Sequence, residues 1–336
     1  MSESIPKIKE IEVAVVETIA FLDIFDYSPT SLELWRFLGV KIELAELLKI
    51  LPLYKGELEG VDCDCRQDPT QAPPFDYRSG QALVKGRSQG GGFYFLSGRE
   101  EIVARRSEFF HLAEKKYRIA RQAASILKFV PGIKMVAVCN NFYYKPDSDI
   151  DFFIIVQSGR MWLTRALATL ALHFFRLRRH GKKVADRICL SFYVTEDNLN
   201  LEDITLKPDD PYFNYWLAFL EPLYGLDVYE KFWEANAWLK KHLPNVFPTV
   251  ANQGRIVKDS FFSIFCKRVK FWWFDLWLGD KLEILAKKFQ FAKMSKKSSG
   301  IGVIINDKIL KFHENDRREF FREKLKSSII NFQSSK

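Results

Sequence analysis

The chain has no run of about 18 apolar residues, so no transmembrane helix is expected. Its opening, MSESIPKIKEIE, is polar and charged and lacks the apolar core of a secretory leader. Cysteine is sparse and odd in number: Cys63, Cys65, Cys139, Cys189 and Cys266 are scattered. That distribution argues against a disulfide framework and suits a reducing, cytoplasmic setting. Cys63 and Cys65 form Cys-x-Cys with no second pair or neighbouring histidine, which reads as loop rather than zinc site.

What is present is a folded composition. Hydrophobic residues make up 47 % of the 336, aromatics 15 %, and phenylalanine alone accounts for 30 positions, enough for two or three domains with a sizeable core. The net charge of +9 is uneven. From Arg255 onward there are 19 basic and 9 acidic residues, so the first 254 residues are close to neutral. If a polyanion is a partner, the basic C-terminal region is where it should bind.

The most informative stretch runs from Lys134 to Arg165. A short apolar run, Met135 to Val138, passes a polar turn into a second run, Ser148-Asp149-Ile150-Asp151-Phe152-Phe153-Ile154-Ile155-Val156, which breaks at Ser158-Gly159. This pattern predicts strand, loop, strand and helix. The two-residue period of a strand puts Asp149 and Asp151 on one face. Adjacent carboxylates repel unless a cation lies between them, and Mg2+, held by carboxylates and substrate phosphates, is the usual resolution.

The run V-A-V-x-N-N…S-D-I-D-F-F-I-I-V resembles the core signature of the DNA polymerase beta-type nucleotidyltransferase superfamily, particularly prokaryotic proteins with a minimal nucleotidyltransferase domain. The resemblance implies an Asp-x-Asp strand binding metal ions through Asp149 and Asp151, and a preceding turn holding a nucleoside triphosphate. It also implies transfer of a nucleoside monophosphate to a hydroxyl acceptor that the sequence does not identify. The family's turn is Gly-Ser. Here it is Asn140-Asn141, and only seven residues separate Asn141 from Asp149. Asparagine tolerates a left-handed turn and its amide donates, so Asn140, Asn141 and Ser148 are the expected nucleotide-binding residues. The family's third carboxylate should lie on the strand from Asp186 to Val194. With Ile188, Leu190, Phe192 and Val194 as the apolar set, Arg187, Cys189, Ser191 and Tyr193 would face the site, and none is an acid.

The expected fold is therefore α+β, a small mixed sheet with flanking helices. Residues 1–98 precede it as a winged-helix-like module interrupted by a mobile insertion at 56–92, rich in Gly, Pro, Gln, Ser and Asp. Residues 99–245 form the nucleotidyltransferase domain, and 255–336 a basic, aromatic, helix-rich region. In the first module, apolar positions 11, 15, 19 and 22 predict one helix, Thr30-Ser31-Leu32-Glu33 is a capping box opening a second, and Ile42 to Ile50 predicts a third. Phe93 to Leu96 would be the wing strand. Residues 1–55 hold six basic and nine acidic residues, which favours internal or protein contacts over DNA.

Further along, Arg99 to Phe129 is helical, with a largely solvated basic face. Met161 to Leu177 is an amphipathic helix in which Arg165 reads as a surface ion-pair member and His173 as a core or boundary residue. Tyr212 to Leu223 and Tyr229 to Leu243 each predict a helix. Phe261 to Leu278 is a basic aromatic stripe whose commonest use is packing, with a membrane surface or base stacking on Trp272, Trp273 or Trp277 as alternatives. Lys293 to Gly300 reads as linker, Gly302 to Phe312 as a hairpin around Asn306-Asp307, and Asn315 or Asp316 as the cap of a final helix. Two other functions compete: a non-catalytic scaffold with the same fold, favoured by Asn140-Asn141, the short loop and the missing third acid, and a DNA-binding regulator, favoured by the helix-turn-helix pattern.

Overall fold

The computed structural model describes residues 8–51, 93–96, 99, 101–140, 145–249, 252–261, 263–265, 274, 276–294, 302–312 and 316–334. The insertion at 56–92, Cys63, Cys65, Asn141, Cys266, Trp272, Trp273, His313 and Asn315 lie outside the described residues.

A six-stranded mixed sheet organises the chain, in the order β4-β1-β2-β3-β6-β5. β1 (Ile133–Cys139) and β2 (Ile150–Val156) are antiparallel neighbours, and β3 (Ile188–Thr195) runs parallel to β2. Parallel pairing requires a crossover. It is supplied by a helix, Met161–Phe174. β1 to β3 are apolar almost throughout because both faces are covered. On one face Ile150, Phe152 and Ile154 pack against that crossover helix and a long helix, Glu101–Leu127. On the other, Phe153, Ile155 and Phe192 pack against helices Pro211–Ala218 and Leu226–Ala235.

One strand comes from a place the period did not mark. The segment expected as one helix from Tyr212 to Leu223 is a helix only to Ala218, and β4 (Glu221–Tyr224) pairs antiparallel with β1. β4 lies at the sheet edge, where Pro222 costs no ladder bond on the open side. At the far side β5 (Val303–Ile305) and β6 (Ile309–Phe312) form the expected hairpin, and β6 pairs with β3. Asn306 closes its turn by accepting from Lys308 N–H at 2.8 Å and Ile309 N–H at 2.7 Å.

Numbered in chain order, the helices are α1 (Ile8–Asp23), α2 (Ser31–Arg36), α3 (Leu44–Ile50), α4 (Glu101–Leu127), α5 (Met161–Phe174), α6 (Pro211–Ala218), α7 (Leu226–Ala235), α8 (Trp277–Met294) and α9 (Arg318–Ser334). The capping box of α2 is formed: Thr30 and Glu33 exchange side-chain to backbone bonds. Glu33 also pairs with Arg106 of α4 at 2.6 Å. The first three helices turn inward, since Arg36 donates to the carbonyls of Ala218 and Phe247 at 2.7 and 2.9 Å. Phe93 makes a single bridge with Thr30. The helix expected from Tyr229 to Leu243 stops at Ala235. Buried Asn236 breaks it, its amide bonding Leu199 and Leu201 backbone across to the loop after β3. α5 has no side-chain cap of its own, and Glu283 of α8 accepts from the N–H groups of Trp162 and Leu163 at 2.9 and 2.7 Å. No helix among the described residues is long and apolar enough to cross a membrane.

The C-terminal helix is tied to α6 by buried charge. Asp210 caps α6, accepting from Phe213 N–H at 3.1 Å, with Pro211 in the first helical position. Its other oxygen meets Arg318 at 2.8 Å, and the Arg318 and Asp210 side chains are 7 % and 1 % exposed. Arg318 also holds Asp316, which lies 3.5 Å from Lys311 of β6. Removing one partner strands a buried charge, so Asp210→Ala is expected to lower unfolding free energy by about 3–5 kcal/mol in urea denaturation. Burial opposes the Asp316 charge, but Arg318 and Lys311 outweigh it and hold its carboxyl at about 2. A depressed folded value makes its stabilising contribution complete above the unfolded value of 3.8 and progressively lost below it. The stability difference between wild type and Asp316→Asn should therefore narrow as pH falls from about 5 to about 3.

Candidate metal centre

Asp151 opens the register of β2, opposite Cys139 on β1 and Cys189 on β3. Asp149 stands two residues earlier. The carboxylates of Asp149 and Asp151 and the thiol of Cys189 bring ligand atoms within 4.8 Å of one another, each residue partly buried. The pair thus converges on one face, as the period of two requires.

Each carboxylate has a partner. Asp149 accepts from Arg179 at 2.6 Å, a residue on the turn after α5 whose side chain remains 48 % exposed and which also interacts with Cys189. Asp151 accepts from the Asn140 amide at 2.9 Å. Asn140 sits at the end of β1 with φ of 56°, the left-handed turn its residue type allows. Its amide oxygen in turn accepts from Tyr212 Oη at 3.0 Å, so α6 orients the turn. Burial and the neighbouring Asp149 raise the Asp151 pKa against the Asn140 bond. On Arg179, burial is outweighed by Asp149, which holds the guanidinium above its usual value.

Ser148 serves through its backbone. Its carbonyl accepts from Lys116 at 2.5 Å, and from Asp186 N–H at 3.1 Å, while its hydroxyl bonds Lys145. Lys116, fully buried on α4, also binds Asp186 at 3.1 Å and so fixes the approach to Asp149. Asn141 lies outside the described residues.

The third position is Cys189. Asp186 is taken by Lys115 and Lys116, and Asp197 by Ser158 and Lys308, so neither acid flanking β3 reaches the pair. The expected face assignment of β3 changes halfway. An irregularity places Asp151 opposite Cys189 but Phe153 opposite Phe192, one residue further on. The extra residue flips the alternation. Phe192 and Val194 therefore join the face of Cys189, while Tyr193 goes to the other with Ile188 and Leu190.

Burial, then Asp151 and Asp149, push the Cys189 thiol well above its usual range, so it stands as a neutral S–H beside the carboxylates. Two carboxylates with room for phosphate and water oxygens fit a hard dication such as Mg2+, and a protonated sulfur adds little to it.

Beside Asn140 is a cavity of about 200 Å³, walled by Phe25, Tyr212 and Phe321 with Lys311 and Arg317 on its lining. Tyr212 and Phe321 stack at 5.0 Å and 11°. Lys311 is opposite Phe192 across the β3–β6 pair, which puts a cation on the carboxylate face of the sheet. Sequence periodicity placed Cys189 facing the site, as the structure does, but pointed to none of Tyr212, Arg179 or Lys311. The excess of positive charge after Arg255 was the one available signal for Lys311.

No protein-family model, curated protein or solved structure matches the chain.

Asp149 and Asp151 oppose each other across a short distance, so Asp151→Asn should relieve repulsion while keeping an acceptor for Asn140. Its Tm is expected to rise by a few degrees in the absence of divalent metal, whereas Mn2+ binding followed by its paramagnetic effect on water relaxation should be lost.

Proposed function

We propose that the chain is a Mg2+-dependent nucleotidyltransferase, moving a nucleoside monophosphate from a nucleoside triphosphate to a hydroxyl acceptor. The single observation that carries this reading is the convergence of Asp149 and Asp151 at the start of β2, next to a cavity with an aromatic wall, three cations and one carboxylate, Asp316. It joins the Asp-x-Asp resemblance to a mixed sheet with flanking helices.

Asp149 and Asp151 would hold the metal, and Asn140 would orient Asp151. When bound, Mg2+ offsets the negative charge that builds on the phosphoryl oxygens. Lys311 and Arg317 supply positive charge toward phosphates in the adjoining cavity, and Tyr212 and Phe321 offer a ring surface. Arg179 would either follow the phosphates or leave Asp149 when they arrive, since it reaches the acid from solvent. The acceptor hydroxyl attacks the alpha-phosphate in line and pyrophosphate leaves.

Cys189 in the third position and Arg179 on Asp149 favour a second reading, a nucleotide-binding scaffold without turnover. Equilibrium dialysis of the full chain with each NTP, with and without Mg2+, followed by a pyrophosphate-release assay, separates the two. Metal-dependent binding that Asp149→Asn abolishes is expected, together with pyrophosphate release. Binding without release leaves the scaffold, and absence of binding removes both. Cys189→Asp places a third carboxylate beside the pair. It is expected to tighten Mg2+ binding by about tenfold or more, and an unchanged affinity would show that this position does not face the ion.

A further inference from the structure

On the sheet face opposite the carboxylates, a cavity of about 570 Å³ lies between α5, α8 and the β5–β6 hairpin. That size is within the range of about 300–1,000 Å³ typical of small-molecule sites. Its lining is divided between cations and apolar side chains and contains no carboxylate. Arg165, Thr169 and His173 fall on one stripe of α5 at intervals of four, with Lys293 of α8 and Arg178 completing the basic set. His173 is exposed and packs edge-on to His180, not in the core as its apolar surroundings in sequence implied. Phe289, Val303, Ile305 and Phe312 supply apolar wall.

Arg165 departs most from expectation, because among the described residues no acid pairs with it. Its one hydrogen bond among them is to Gln290 Oε1 at 2.7 Å, and its guanidinium otherwise rests on the rings of Phe312 and Tyr193, 4.9 and 5.9 Å from their centroids. Its Nε is buried with no partner among the described residues, and so is Thr169 Oγ1 one turn along. Desolvation lowers its pKa, which is the cost of keeping the charge there unpaired. Buried cations are normally matched by an anion and buried donors by an acceptor. Arg165 and Thr169 line the same cavity, whose remaining wall combines apolar and aromatic side chains with His173, Arg178, Gln290 and Lys293.

We propose that this cavity binds a single-chain anionic amphiphile, its head accepting from Arg165 and Thr169 and its alkyl chain lying against Phe289, Ile305 and Phe312. A free inorganic anion would leave the apolar walls uncovered, and a neutral alkane would leave the guanidinium uncompensated. The two halves of the lining select a ligand with both parts. Carboxylate and phosphate heads share the required chemistry.

The test is equilibrium dialysis of the full-length protein against laurate, dodecyl phosphate, dodecanol and inorganic phosphate, each below its micelle concentration. Laurate or dodecyl phosphate is expected to bind at one site, at least about tenfold tighter than dodecanol or phosphate, and the tighter of the two identifies the head. Arg165→Met keeps the length of the side chain and removes the unpaired charge, so its Tm should hold or rise while amphiphile affinity falls about tenfold or more. Thr169→Val, nearly isosteric, should weaken binding about fivefold without unfolding the chain. Asp149→Asn should leave amphiphile binding unchanged, because it acts on the opposite face. Absence of binding, equal binding of dodecanol, or binding insensitive to both Arg165→Met and Thr169→Val would overturn the assignment.

Discussion

Two carboxylates on one face of a strand repel each other, and the architecture around β2 follows from holding them together. Arg179 offsets one charge from the solvent side, and Asn140 donates to the other from the end of β1. A buried lysine on α4 fixes the peptide that leads into the pair. None of these partners abolishes the tension, as the raised pKa of Asp151 records. Keeping the anionic oxygens in one small space has a local electrostatic cost.

That local tension is supported from a distance. Tyr212, which orients Asn140, is carried by a helix capped by Asp210, and Asp210 is bound to Arg318 near the chain's end. A continuous series of buried polar contacts thus joins the last helix to the turn beside the carboxylates. The residues after Arg255 contribute two strands of the sheet and three cations of the neighbouring cavity, so the basic C-terminal region adjoins the candidate site directly.

Much of this was legible from residue order, for local reasons. The same-face placement of Asp149 and Asp151 follows from strand geometry alone, the capping box at Thr30 from its four-residue pattern, and the hairpin from Asn306-Asp307. What escaped depends on neighbours that are distant in sequence. Glu221 to Tyr224 continues a helical-looking aromatic run, and only the open edge of β1 makes it a strand. The face of Tyr193 could not be read because a single extra residue in β3 inverts a pattern that looks regular. Arg165 looked like an ordinary surface cation, since the hairpin that covers it arrives about 140 residues later.

Strand β6 serves two compartments at once. Its consecutive residues Lys311 and Phe312 line different cavities, the lysine that near Asn140 and the phenylalanine that around Arg165. With only four residues and a side-chain repeat of two, a slip by a single position would exchange them, setting a benzyl group among the charged side chains near Asn140 and an ammonium among hydrocarbon. The two chambers therefore share one point of failure, and neither can be remodelled through this strand without disturbing the other.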